Sequence, residues 1–217
     1  MFKKLQILLV LMLATELSLA QTSVGFRGGY TQSSVNYRAR PGAPLIRAGG
    51  VTAPTFAFVI EHYGQKNAGL QLEFQQITLG YTETDTLSRS NQSELSYLKV
   101  PILSSFYFGN TGRFHIKIGP HIGMLVGARD VLRQIPATTT LPTYGQEGDN
   151  PQRLMYGLNA AAGLSKAFGR HTFGGEVRYG YEFGRPESQN RIFDMSSTHL
   201  EISLQYTFAI IRAKWQK

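Results

Sequence analysis

The side chains of this chain that could carry out nucleophilic or acid–base chemistry are its histidines and the serines and carboxylates near them. His199, Glu201 and Ser203 form the best combination, because residues two apart lie on one face of a β-strand and can polarise one another. A hydrolase of acyl chains would need such a group on a face that lipid can reach. These three residues share the polar face of their segment, so we interpret them as polar filling and predict no catalytic site.

The sequence also predicts no metal ion and no cofactor. Its histidines lack the close spacing of a metal site; they are His62, His115, His121, His171 and His199. The acidic residues of the connecting segments occur singly, without the alternating series of a calcium loop. The chain has no cysteine and no phosphate-binding glycine loop of the Walker type.

Eight segments with a two-residue period must position these side chains. In the last segment the even-numbered positions from 200 to 208 are apolar and the odd-numbered positions from 201 to 207 are polar, as expected of a strand with two different faces. We predict strands at 23–31, 55–63, 69–80, 95–108, 113–127, 154–168, 172–183 and 198–210.

The connections between these strands alternate between short and long. The short ones, at 64–67, 109–112 and 169–171, are rich in residues that adopt positive φ easily. The long ones are 32–54, 81–94, 128–153 and 184–197. This layout predicts an all-β, eight-stranded antiparallel up-and-down transmembrane barrel of the outer-membrane type, with both termini in the periplasm. The longest connection, 128–153, is the first place to look for function.

Residues 1–20 predict export. Lys3 and Lys4 precede an apolar stretch of about ten residues and a small-residue end at Ser18 and Ala20, as in a secretory signal cut before Gln21. A membrane helix would need roughly 20 apolar residues. We therefore predict a signal peptide at 1–20, a barrel at 21–210 and a short basic periplasmic tail at 211–217.

The charge of the exported part argues against a nucleic-acid partner. Removing Lys3, Lys4 and Glu16 from a chain with 22 basic and 14 acidic residues leaves a net charge of +7. These charges are scattered along the chain, whereas a nucleic-acid site needs a basic patch.

Aromatic residues border both ends of the predicted strands, as in barrels that cross lipid. At the periplasmic ends these residues are Phe108, Phe114, Phe168, Phe173 and Phe208. At the outer ends they are Tyr30, Phe56, Tyr156, Tyr181 and Phe183. The alternative is a soluble lipocalin-type barrel with the faces exchanged, but its water-facing surface should be dense in charge, whereas only 17% of the residues of the whole chain are charged.

The polar faces carry isolated charges among small residues. These are Arg27, Glu61, Glu73, Lys99, Lys117, Glu176, Arg178 and Glu201. The interior of an eight-stranded barrel is only wide enough for side chains, and buried charges need partners. We therefore predict an interior ionic network and no open channel.

Two stretches resemble the PorT-type outer-membrane barrel family of Bacteroidetes-type Gram-negative bacteria. They are residues 97–102 (YLKVPI) and, after a tight turn, residues 119–123 (GPHIG). Residues 24–30 (VGFRGGY) are also similar to that family's first strand. The resemblance implies an eight-stranded barrel in the outer membrane. Because one founding member assists a protein-secretion system, it also implies secretion-machinery proteins as partners.

The chain departs from common barrel patterns at two places. Residues 209–217, with Arg212, Lys214 and Trp215, extend beyond Phe208, where such barrels commonly end. Pro101 and Pro120 would remove two backbone donors at nearly one height of the wall. We predict a bulge or a local gap between the fourth and fifth strands, which serves either curvature or a partner.

The basic residues of the long connections include many arginines, which bind phosphate through two nitrogens. Among them are Arg38, Arg40, Arg47, Arg89, Arg129, Arg133, Arg185 and Arg191. One interpretation is contact with lipopolysaccharide phosphates, through Arg38, Arg40 and Arg129. The other is packing against the acidic loop residues Asp85, Asp130, Glu147, Asp149, Glu187 and Asp194.

Three functional hypotheses remain open from the sequence. The first is a non-enzymatic structural or partner-binding barrel of the cell envelope, surrounded by outer-membrane lipid. The second is an accessory component of an outer-membrane secretion system, which rests on the resemblance. The third is a lipid-modifying hydrolase.

Overall fold

The computed structural model describes residues 20–38, 40–135, 144, 151–183 and 194–212. Nearly all of the predicted signal peptide, residues 213–217 of the predicted tail and parts of the connections 128–153 and 184–197 lie outside these ranges. So do Glu147, Asp149, Arg185, Glu187, Arg191 and Trp215.

The described residues form nine antiparallel strands in one sheet. Their bounds are β1 (Gln21–Arg38), β2 (Ile46–Arg47), β3 (Gly49–Tyr63), β4 (Ala68–Thr84), β5 (Ser90–Gly109), β6 (Gly112–Arg133), β7 (Leu154–Phe168), β8 (His171–Glu182) and β9 (Asp194–Ile211). Sequence neighbours pair around the sheet, and β1 pairs with β9. Because β2 contributes only two residues beside the end of β1, the wall consists of eight long strands. The predicted fold class is confirmed.

The tight turns lie at one end of the barrel. They connect β3 to β4 through 64–67, β5 to β6 through 110–111, and β7 to β8 through 169–170. Gly109 and Gly169 have φ angles of 104° and 62°, which favour glycine. Thr22 of β1 pairs with Ile211 of β9 at this end. We call it the short-turn end, and the opposite one the loop end.

At the loop end the strands are longer than the periodicity predicts. β1 continues to Arg38, β4 to Thr84 and β6 to Arg133, whereas β5 begins at Ser90. The prediction of long connections at 32–54 and 81–94 is therefore wrong, because only residues 39–48, which include β2, separate β1 from β3, and only residues 85–89 separate β4 from β5. The outward positions of these extensions carry polar residues such as Gln32 and Thr84, so the apolar face that marks a lipid-facing strand is missing.

The outward face of the wall is apolar. Leu204 exposes 75% of its surface and Ile202 63%. Large exposed aromatic side chains border this face, with Tyr30, Phe56, Tyr156, Tyr181 and Phe183 toward the loop end and Phe108, Phe114, Phe168 and Phe173 at the short-turn end. Charged residues in the middle of the strands, such as Arg27, Glu73 and Arg178, lie inside, which is the reverse of a lipocalin-type barrel. No helix in the described part of the chain is long and apolar enough to cross a membrane.

The β5–β6 ladder is interrupted beside the two prolines. Pro101 pairs with His121, and the next paired residues are Ser104 and Ile118. The register is the same on both sides of this interval, so it is a local gap and not a bulge. The register shifts of this strand pair lie nearer the loop end, between Gln92 and Ser93 and between Ser96 and Tyr97.

Candidate functional site

The eight charged residues of the predicted network all lie inside the barrel. None of them exposes more than 8% of its surface. They reach the interior because each occupies an inward position of its strand, between outward neighbours. Arg27, for example, is 1% exposed, whereas the adjacent Phe26 is 59% exposed.

The central part of the bore is crossed by ion pairs that centre on Glu73. Its carboxylate accepts hydrogen bonds from Arg27 at 2.7 Å and from Arg178 at 2.7 and 2.9 Å. Arg27 also pairs with Glu201, and Arg178 pairs with Glu176 at 2.7 Å. These five residues, which we call the central cluster, come from β1, β4, β8 and β9 and therefore join different parts of the wall.

The network continues from the central cluster toward the short-turn end. Lys117 lies 2.6 Å from Glu176 and 3.9 Å from Glu61. Gln205 donates to Glu61 at 2.8 Å, and His115 lies 3.4 Å from Glu176. The neutral side chain of Gln205 therefore gives Glu61 a hydrogen bond that the charged residues alone would not supply.

A second buried cluster surrounds Glu182, which the sequence analysis did not include. The carboxylate of Glu182 lies 2.6 Å from His121, 3.3 Å from His199 and 3.8 Å from Lys99. Lys99 also lies 3.1 Å from the His199 ring and 3.2 Å from the side-chain oxygen of Asn159. The signal was present in the alternation of β8, where Glu176, Arg178 and Glu182 share one face.

His199, Glu201 and Ser203 share a strand face but belong to different contacts. His199 joins Lys99 and Glu182, whereas Glu201 pairs with Arg27. The Ser203 hydroxyl accepts a hydrogen bond from Arg27 at 3.1 Å. The hydroxyl therefore has a guanidinium as its partner, and a guanidinium cannot accept its proton.

Closer to the loop end the bore is filled by apolar and tyrosine side chains. This apolar plug consists of Val35, Tyr37, Ile77, Leu79, Tyr81, Leu95, Tyr97, Tyr144, Met155 and Met195. Tyr144 comes from the connection after β6, and its backbone exchanges hydrogen bonds with Asp130 at 3.0 and 3.2 Å. The sequence analysis missed part of the plug because it ended strands before residues such as Val35 and Tyr81, and it did not recognise Ile77 and Leu95, inside predicted strands, as apolar filling of the bore.

Two small cavities lie between the described side chains of the bore. One cavity of about 30 Å³ lies beside Tyr63, His115 and Lys117, and another of about 20 Å³ lies beside Leu79 and Tyr97. A single water molecule needs about 10–15 Å³ of such space. Each of these cavities therefore has room for one or two waters.

The arginines at the loop end differ in their contacts. Arg129 lies 3.2 Å from Glu94, Arg133 lies 3.2 Å from Asp130, and Arg89 lies 2.7 Å from Asp85. Arg38 and Arg40 are exposed. Packing against acidic residues therefore accounts for some of these arginines, and contact of Arg38, Arg40 and Arg129 with lipopolysaccharide stays a prediction.

Hydrogen bonds within the 85–89 turn lower the pKa of Asp85. Desolvation raises this pKa, but hydrogen bonds from Arg89 and from the backbone of Leu87 outweigh it and hold the pKa below its usual value.

Within the described residues, no group of three His, Asp or Glu side chains has the geometry to hold a metal ion.

Comparison with known proteins agrees with this architecture. The family described as "Outer membrane protein beta-barrel domain" matches residues 19–185. The outer membrane protein OprG from Pseudomonas aeruginosa is 10% identical, with a TM-score of 0.58, over 90% of this chain and 99% of OprG. The outer membrane protein AlkL, solved in DMPC lipid bilayers, is 10% identical, with a TM-score of 0.51, over 90% of this chain and 92% of AlkL.

No curated protein matches the chain. At 10% identity the two structures show a shared fold alone, whereas the family match covers most of the chain. The protein is an outer-membrane barrel, and the chain belongs to the outer membrane protein beta-barrel domain family.

Proposed function

We propose that this protein is a non-enzymatic barrel with a closed bore, which acts in the outer membrane as a structural or partner-binding component. The observation that carries the proposal is the filling of the bore by two successive layers. The central cluster joins four strands through buried ion pairs, and the apolar plug fills the bore between this cluster and the loop end. A barrel filled in this way presents its two ends and its outer wall to other molecules.

The short-turn end faces the periplasm in this proposal. Outer-membrane barrels have short periplasmic turns and longer outer loops. The turns at 64–67, 110–111 and 169–170, and the beginning of β1 and the end of β9, lie together at this end. The apolar plug then lies toward the cell exterior.

A non-enzymatic role is supported by the surroundings of the best catalytic candidates. Ser203 and His199 are 2% and 1% exposed, and both face the bore, where an acyl chain of the surrounding lipid cannot reach them. Ser203 binds Arg27, whereas His199 binds Lys99 and Glu182. The arrangement therefore offers no support for a lipid-modifying hydrolase.

A planar-bilayer recording tests the closed bore. We expect the reconstituted protein to show no steady current of porin size. The Tyr97→Ala variant should also stay closed, because it shortens a side chain of the plug and leaves the central cluster in place. A steady porin-sized current from the unmodified protein would contradict the proposal.

A role as an accessory of a secretion system is the second candidate. The PorT-type resemblance suggests it, and the gap in the β5–β6 ladder lies within the two stretches that carry the resemblance. Ile102 and Pro120, at this gap, are both exposed on the outer wall. Co-purification after mild detergent extraction separates the candidates, since secretion components in the eluate favour this one and a lone barrel favours the first.

A further inference from the structure

The short-turn end contains a recess of about 310 Å³ that is lined by four basic residues. Lys66 and Arg170 belong to two different turns, Arg113 to the beginning of β6, and Arg212 follows β9. Among the described residues, no carboxylate lines this recess. Elements that are far apart in the sequence therefore bring four positive charges to one concave surface.

These cations differ from those of the bore, which are paired with carboxylates. Within the described part of the chain, Lys66, Arg113, Arg170 and Arg212 form no ion pair. Arg113 is held in place, because its guanidinium lies 4.4 Å from the centre of the Tyr107 ring and its Nε donates to the Asn110 carbonyl at 2.9 Å. The recess thus combines one fixed guanidinium with three exposed cations.

The recess opens along the barrel axis. Its floor includes Tyr107 and Thr172, which also border inward-facing positions of the bore. Lys166, by contrast, lies 5.2 Å from the ring of Phe168, which is exposed on the outer wall at the same end. Headgroups of the surrounding bilayer lie beside the wall, so an occupant of the recess must approach from the space beyond the turns.

We propose that the recess binds an acidic peptide segment of a partner protein, through Asp or Glu side chains placed close together. Guanidinium groups bind carboxylates through two parallel hydrogen bonds, and several cations on one surface favour several carboxylates on one chain. The volume is that of a small-ligand site, which suits a few side chains of a peptide and not a folded domain. This inference rests on the partner-binding role proposed above.

Fluorescence anisotropy with a hexaglutamate peptide tests the proposal. The peptide carries a neutral dye, and the protein is reconstituted in phosphatidylcholine nanodiscs at low ionic strength. The Lys66→Glu/Arg170→Glu variant changes two exposed turn residues, so it should fold. We expect it to bind the peptide about tenfold or more weakly than the unmodified protein does, because two attractions become repulsions.

The matched control is Lys166→Glu/Arg153→Glu, which makes the same change in net charge outside the recess. Binding by this control within about twofold of the unmodified protein supports the proposal. Equal weakening in both variants, or none in the first, would overturn it.

The outcomes remain separable from those of the bilayer recording. A barrel that conducts ions and still binds hexaglutamate through Lys66 and Arg170 would contradict only the closed bore. A closed barrel that does not bind the peptide would contradict only the recess.

Discussion

At the scale of single residues, Glu73 has the most demanding position in the molecule. It is fully buried and accepts hydrogen bonds from two buried arginines, Arg27 and Arg178. Breaking a buried ion pair costs more than the pair itself contributes, because the remaining charge stays without compensation. Here one substitution would affect two such charges.

We expect Glu73→Gln to lower the free energy of unfolding by about 3 kcal/mol or more. The substitution keeps the shape of the side chain and removes the charge that both guanidinium groups need. Urea titration of the barrel in detergent micelles measures the change.

Glu94→Gln is the matched control for this change. Glu94 pairs with the exposed Arg129 at 3.2 Å, and such exposed pairs contribute about 1 kcal/mol or less. Similar losses of stability in the two variants would show that the buried network does not stabilise the barrel as we infer.

The sequence revealed inward charges where the two-residue period was continuous, as around Arg27, Glu73 and Arg178. It did not reveal the pairing, because partners such as Arg27 and Glu73 come from different strands and depend on their relative height in the wall. Glu182 was missed although it lies within the predicted strand 172–183, two positions beyond Gly180 on the face that carries Glu176 and Arg178.

At the scale of elements, the neighbouring strands β5 and β6 have the most irregular pairing. Their ladder is interrupted between Pro101 and Ser104, and Gly119 lies opposite this interval. A side chain at Gly119 would collide with the backbone carbonyl of Ile102. The close approach of the two strands therefore requires glycine at this position.

We expect Gly119→Ala to lower the free energy of unfolding by about 2 kcal/mol, because the added methyl group must push the strands apart. The measurement is a urea titration, together with the fraction of protein that migrates as a compact barrel on an unheated gel.

Gly127→Ala on the same strand provides the comparison. A Cβ at Gly127 would have no atom within 4 Å, so we expect little change in stability. If both variants behaved alike, the contact between Gly119 and Ile102 would not control the packing of β5 against β6.

The positions and order of the long strands could be predicted because lipid imposes an apolar outward face. Where the strands leave the lipid this signal disappears, as at Gln32 and Thr84, and the predicted strands ended too early. Part of the apolar plug was lost with them, since Val35, Tyr81 and Met195 lie in those extensions.

At the scale of the whole molecule, the two faces of the wall have exchanged the usual roles of surface and core. The outward residues are apolar because their surroundings are hydrocarbon, and the inward residues pair their charges because no bulk water reaches them. Leu204 and Leu87 lie on either side of the boundary between the lipid-facing wall and the loop end. They are 75% and 71% exposed, but one lies on the wall and the other in the 85–89 turn at the loop end.

We expect a tryptophan at position 204 to be quenched by lipids with brominated acyl chains, and a tryptophan at position 87 to be quenched much less. The two variants, Leu204→Trp and Leu87→Trp, are made in a Trp215→Phe background, because Trp215 is the one tryptophan of the sequence. Comparison of emission in brominated and ordinary phosphatidylcholine bilayers gives the result. Equal quenching at both positions would contradict the assignment of the wall to the lipid.

The pairing of β1 with β9 has a consequence for biogenesis. β1 emerges first during export and can pair with β9 only after the other strands have followed. Until then both edge strands of the incomplete sheet carry unsatisfied amide groups. A sheet with open edges is not stable in hydrocarbon, because its unpaired backbone groups have no water to bind. The chain must therefore be protected from aggregation until β9 arrives. The pairing of β9 with β1 then closes the barrel and completes its insertion.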